Sequence, residues 1–204
     1  MEGVPYLTFI YIGLLSMNLI NASMSNPSFA LIISKNMGTI VDLQIAPISA
    51  ARVGLAYALA ALTRAVITLA VALLLTVWFI PMITIANPLL LLLAVVMTGI
   101  EFGMLGVAFG MWAKNFEALM FMTTFVLQPM MFLAGVFYPI DSLPAPWGFI
   151  SAFNPLHHNI NLLRYATTGY ADGNPWVSLI IVGVLLVLVT VAMQFIVRKK
   201  LRAE

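Results

Sequence analysis

The chain has 204 residues, 63% of them hydrophobic and only 8% charged, with nine Lys and Arg against seven Asp and Glu. A water-soluble domain cannot carry that composition without exposing its interior, so the sequence is that of an integral membrane protein. The basic residues are scattered or gathered at the C-terminus, not laid in a stripe with interleaved aromatics, which argues against nucleic-acid binding. The absence of cysteine excludes disulfides and thiol catalysis.

A helix crossing about 30 Å of hydrocarbon needs roughly 20 mainly apolar residues. Five segments qualify: about 5–33, 54–79, 88–112, 118–138 and 176–197. The opening "MEGVPYL" has no positive n-region or cleavage site of a signal peptide, so the first segment is expected to be retained. Within it Asn18, Asn21 and Ser25 recur on one face, and Pro27 frees the carbonyl of Ser23. That face should avoid lipid. It suits a substrate path, a subunit interface or plain interhelical hydrogen bonding.

The connection at 35–50, within "SKNMGTIVDLQIAPISAARV", has a short helical pattern of its own. Ile40, Val41 and Ile45 lie near one face and Pro47 is a stop. Such a segment lies on the membrane surface or inserts into a partner, and both readings stay open at this point.

Two charges lie deep in the second and third spans. Arg64 and Glu101 each sit roughly 15 Å from the cytoplasmic ends of their helices at 1.5 Å per residue. Equal depth on antiparallel neighbours permits an intramembrane ion pair, which is the expectation for them. The third span, in "GIEFGMLGVAFG", also places Gly99, Gly103, Gly106 and Gly110 in small-xxx-small patterns that let helix backbones approach closely.

The stretch "FLAGVFYPIDSLPAPWGFISAFNPLHHNINLLRY" starts as a span and then breaks at prolines. Asn154 followed by Pro155 is a capped helix start, and Gly169 is a stop. Two short helices are expected, about 145–152 and 155–168. The second has Leu156, Ile160, Leu163 and Thr167 on one face and His157, Asn161 and Arg164 on the other. Segment 139–175 should therefore form a re-entrant rim or lid at the outer leaflet, because irregular backbone at membrane depth is tolerated only inside protein or facing water.

Orientation follows from the short loops. Lys35, Arg52, Lys114, Arg198, Lys199, Lys200 and Arg202 fall on one side, which puts the C-terminus in the cytoplasm. No metal site is expected: the adjacent His157 and His158 point about 100° apart, and no Asp, Glu or Cys stands at ligand spacing. A GxxxxGK[ST] loop, a nucleophile elbow and paired catalytic carboxylates are all missing, so no ATPase or hydrolase chemistry is read in this chain. The whole, 1–204, reads as one all-α polytopic membrane domain. It is a bundle of five transmembrane helices with a cytoplasmic segment and two short outer re-entrant helices.

Four stretches, in order, give this chain a resemblance to the permease subunits of bacterial ABC-2 type exporters. "YLTFIYIGLLSMN" with "ASMSNPSF" is similar to the family's second span. "GTIVDLQIAPISAARVGLAYALAALTRA" is similar to its coupling segment and third span, and "GMWAKNFEAL" to the turn between the fourth and fifth. "FLAGVFYPIDSLP" with "FNPLHHNINLLRY" resembles its outer signature. The family pattern has six spans behind an interfacial helix, and the five here correspond to its second through sixth. Glu101 is not part of that pattern.

The resemblance implies two permease chains, as a homodimer, working in the inner membrane with two nucleotide-binding ATPase chains. The ATP and Mg sites would belong to those partners. It implies that Gly38, Thr39, Ile40, Val41, Asp42, Leu43 and Gln44 form a coupling helix docking into the ATPase. It also implies that Gly135, Phe137, Tyr138, Pro139, Asn154, Pro155 and Arg164 belong to an outer gate. The alternative is an autonomous secondary transporter or channel, for which Arg64 and Glu101 are the only intramembrane ionisable residues on offer.

Overall fold

The computed structural model describes residues 5–76, 85–144 and 146–202, and every regular element among them is helical. In chain order these are α1 (Tyr6–Asn36), α2 (Ile40–Ile45), α3 (Ala50–Thr76), α4 (Pro88–Trp112), α5 (Phe116–Phe121), a π-helical turn (Met122–Leu127) and α6 (Gln128–Phe132). After a 3-10 turn at Ile140–Ser142 come α7 (Trp147–Ala152), α8 (Pro155–Thr168) and α9 (Pro175–Arg202). Among the described residues α1, α3, α4 and α9 are long and apolar enough to cross a membrane, and Phe116–Phe132 is a shorter apolar helix. The chain is a multi-pass all-α membrane protein.

Most helix limits follow from local chemistry. The Asn87 side chain accepts from Leu90 N at 3.0 Å with Pro88 behind it, so α4 starts where a cap and a proline at the first turn place it. Asn115 caps α5 in the same way, accepting from Ala118 N at 3.0 Å. The other end of α4 is held by Lys35, whose Nζ donates to the carbonyls of Gly110, Met111 and Ala113 at 2.7–2.9 Å. A cation on the last free carbonyls is the favourable sign for a helix C-terminus. It also ties the C-terminal end of α1 to that of α4.

Two expected spans end elsewhere. The one read as 54–79 begins earlier, at Ala50, and its expected end lies outside the described residues. The one read as 118–138 stops at Phe132, because Gly135 adopts φ +80° and turns the chain out of the helix. Hydropathy runs on to Tyr138, but the backbone does not.

Helix α4 is the axis of the bundle, packing against α1, α3, α8 and α9. Its glycine face does what the spacing implies. A side chain at Gly99 or Gly103 would strike Leu62 or Ala58 of α3, and one at Gly106 or Gly110 would strike Met24 and Pro27, or Ser28 and Leu31, of α1. The same face meets α3 in one half and α1 in the other. Ser28 exploits the closeness, donating across the interface to the Gly106 carbonyl at 2.8 Å.

Candidate functional site

One end of the bundle is built around α8. The Asn154 side chain accepts from Leu156 N at 3.1 Å, and Gly169 closes the helix at φ +75°, both where the sequence places them. The helix packs inside the protein and presents no free polar face. Its apolar residues Leu156, Ile160 and Leu163 and its polar residues His157, Asn161 and Arg164 are all buried. A helix can be buried all round only if its polar groups are met, and here nearly all of them are.

Arg164 is the largest of these groups. It is 1% exposed, Nη2 donates to the Gly135 carbonyl at 2.8 Å, and its guanidinium carbon stands 3.6 Å from the centroid of the Phe9 ring on α1. Nε and Nη1 make no hydrogen bond, and the ring face takes the place of an acceptor. Burial lowers its pKa to about 10, opposed by nearby Asp172, so the cation persists at neutral pH. Asp172 is buried too. It accepts from Ile140 N at 2.8 Å, while its own backbone N–H donates to the Asn161 side chain at 2.6 Å. Burial raises its carboxyl pKa, and the Ile140 amide and Arg164 pull it back.

The network then runs onto α9, where Asn161 Nδ2 donates to Ser178 Oγ at 3.0 Å and His158 Nδ1 lies 3.2 Å from the same hydroxyl. At the start of α8, Asn154 Nδ2 donates to the Met130 carbonyl. So α8 is pinned to α6 at its start and to the turn after α6 through Arg164. Phe137 stacks on Phe132, Tyr138 donates to the Phe132 carbonyl at 2.8 Å, and Tyr6 of α1 donates to the Phe137 carbonyl. Gly135, Phe137, Tyr138, Pro139, Asn154, Pro155 and Arg164 are thus gathered into one plug. His157, against the Ala134 carbonyl, has its pKa lowered by burial and belongs to the same packing. No cluster of metal ligands occurs among the described residues.

The expected pairing of Arg64 with Glu101 does not form. Gly99 and Gly103 face α3, so Glu101, two residues along and about 200° round the helix, turns away from it. Arg64 is exposed on the outer side of α3, whereas Glu101 is 2% exposed. Depth along a helix says nothing of azimuth. Glu101 instead shares a face with Thr98, three residues earlier, and meets Asn159 of α8. Asn159, Asp172 and Ser178 were missed in the sequence. The available signal was the i, i+3 spacing of Thr98 and Glu101 opposite the glycine face.

On α1, Asn18 is exposed while Asn21 and Ser25 are half-buried, and Asn21 Nδ2 reaches Met131 Sδ on α6 at 3.4 Å. The polar face is therefore the open one in this chain. The face packed on α4 carries Ser28 together with Met24 and Leu31.

At the opposite end of the bundle, α2 follows Gly38, which sits at φ +74° with Thr39 as the flanking residue. Its apolar side chains divide. Ile40 and Leu43 pack inward against the cluster that holds Ala50, Met111 and Val197. Val41 and Ile45 point outward, 47% and 76% exposed, and Met37 and Ile48 are exposed beside them. Ile40 therefore does not share the outer face with Val41 and Ile45, as the sequence had suggested. Asp42 is exposed on the same helix, whereas Arg164 at the other end of the bundle is 1% exposed.

Comparison with known proteins agrees with this architecture. The chain is 29% identical over 172 residues to the inner membrane transport permease YadH of Escherichia coli (strain K12), covering 84% of this chain and 67% of that one. It is 36% identical over 80 residues to nodulation protein J of Rhizobium leguminosarum bv. viciae, covering 39% of this chain and 31% of that one. Residues 3–167 match the model of the ABC-2 type transporter, and the chain belongs to that family.

Proposed function

We propose that this transport permease subunit forms the substrate pathway of an ATP-driven exporter in the inner membrane. It works as a pair of permease chains with two separate ATPase chains. ATP and Mg bind in those partners, whose closure is transmitted through Gly38–Gln44 to the bundle. The observation that carries this reading is α2: a short helix anchored by Ile40 and Leu43, with Val41, Ile45, Met37 and Ile48 uncovered on its outer side. Exposed apolar side chains grouped with a charged one on a short helix suit insertion into a protein partner. In this reading α2, the Lys35-capped end of α4 and the C-terminus of α9 all face the cytoplasm. The α8 plug closes the outer exit, and the Asn18, Asn21 and Ser25 face of α1 lines the pathway or meets the second permease chain.

The test is co-expression of the chain with candidate nucleotide-binding ATPases, followed by affinity purification and an ATPase assay. Wild type should retain the ATPase, and Val41→Asp and Ile45→Glu should release it while the permease itself stays folded. Retention by both variants would remove α2 from the contact. Failure of any ATPase to bind wild type would favour an autonomous transporter.

A further inference from the structure

The mechanism proposed so far makes no use of Glu101. It lies about midway along α4, 13 residues from Pro88 and 11 from Trp112, where an ionisable group is costly and rarely without a task. One of its carboxylate oxygens, Oε2, is buried with no hydrogen-bond partner. Its neighbours hold it in place: Thr98 Oγ1 donates to Asn159 Oδ1 at 2.8 Å, Asn159 Nδ2 donates back to the Pro155 carbonyl at 3.3 Å, and the Asn159 amide meets the Glu101 carboxyl. Among the described residues no cation answers it, since Arg64 is exposed on α3 and Arg164 is committed to Gly135 and Phe9.

Glu101 borders a cavity of about 240 Å³ between α1, α4, the π-helical turn, α8 and α9. Every other lining residue is apolar, among them Met24, Leu105, Met122, Met130 and Leu156. A second apolar cavity of about 420 Å³ continues from it, sharing Leu105, Phe109, Met122 and Val189 and running to Trp112 and Ile196. The combination is one acidic group at the head of a long apolar groove. Methionines on its wall add adaptability, because a flexible thioether fits varied shapes.

We infer that this groove is a binding site for an amphiphile with a positively charged amine head, the head paired with Glu101 and the apolar tail laid along α4 and α9. The inference names the cargo class of the permease and rests on that reading. Charge complementarity selects the occupant: a carboxylate in an apolar wall rejects anions and gains its missing partner from an ammonium group. A neutral lipid would fill the groove but leave the carboxylate as it is.

The test uses the full chain alone in nanodiscs of zwitterionic lipid, with radiolabelled dodecylamine as probe and dodecanol as neutral control. Wild type should bind the amine above empty nanodiscs, and Glu101→Gln should weaken that binding about tenfold or more while leaving dodecanol unchanged. Leu105→Trp, which fills the groove and keeps the carboxyl, should weaken both probes and serves if Glu101→Gln fails to fold. Equal amine binding by Glu101→Gln, or none by wild type, overturns the site. Because no ATPase takes part, Glu101-dependent binding without a copurifying ATPase would sink the exporter reading alone. The reverse result would sink the site alone.

Discussion

The two ends of the bundle solve opposite problems with short helices. At one end, α8 is buried on nearly all sides, and nearly every polar group it brings inside meets a partner from α4, α6, α9, the turn at Gly135 or the loop at Asp172. At the other end, α2 is half anchored and leaves Val41 and Ile45 uncovered. A segment whose interactions are complete within its own chain needs no partner to hold it. One whose apolar side is unmatched is a surface prepared for something else.

The sharpest way to break the closed end is Arg164→Leu. It removes the donor to Gly135, the cation over Phe9 and the charge beside Asp172 in one step. A buried carbonyl and a buried carboxyl would lose their compensation, so about 2–4 kcal/mol of stability should go, read as a lower thermal unfolding midpoint in detergent. Arg164→Lys should recover only part, because an ammonium cannot both reach Gly135 and lie flat on the ring. Unchanged stability in Arg164→Leu would mean the plug is held by apolar packing alone.

The next largest effect lies between the two ends. Gly106→Val would drive a side chain into the Met24 carbonyl of α1, where backbone rather than a flexible side chain must give way. About 2–3 kcal/mol should be lost, and chemical cross-linking of α1 to α4 should fall with it. Gly38→Ala meets nothing within 4 Å but forces an alanine to φ +74°, so a smaller loss of about 1 kcal/mol is expected there.

These positions also mark what could be read without coordinates. Wherever a side chain or ring dictates the backbone, the sequence was sufficient: Asn87 with Pro88 starts α4, Asn154 with Pro155 starts α8, and Gly169 ends it. Small residues four apart on α4 correctly announced close helix contacts. Rotation about a helix axis was not legible, so Arg64 and Glu101 were paired on depth alone although their faces diverge. Nor was burial of the polar side of α8, because an amphipathic pattern looks the same whether its polar face meets water or a network such as Asn161, Ser178 and Asp172. Finally, apolar letters continue beyond Phe132, and only the positive φ of Gly135 shows where the helix stops.

The open end is sharpened by paired substitutions on α2. Leu43→Asp should cost about 1–2 kcal/mol, since it puts a carboxylate against the apolar cluster at Met111 and Val197. Val41→Asp, on the exposed side, should stay within about 0.5 kcal/mol. If the two variants unfold alike, α2 has no inward and outward face and the contrast with α8 fails.

The smallest expected effect is a pH dependence confined to the closed end. Burial lowers the pKa of both His157 and His158, so each binds a proton less readily folded than unfolded. For a depressed pKa the stabilising contribution is present above the ordinary histidine value of about 6.5 and is lost as pH falls below it. Asp172 has the opposite sign: burial raises its pKa, so the folded form gains from its protonation, but in the carboxylate range and at lower pH. Between pH 7.5 and 5.5 protonation of the histidines should quicken amide hydrogen exchange in α8 while exchange in α3, which carries neither of them, stays constant. His157→Gln should flatten that response, because the amide can still donate toward the Ala134 carbonyl but takes up no proton. An equal quickening in α3 would make the effect global, and α8 would then not be a separately responding unit.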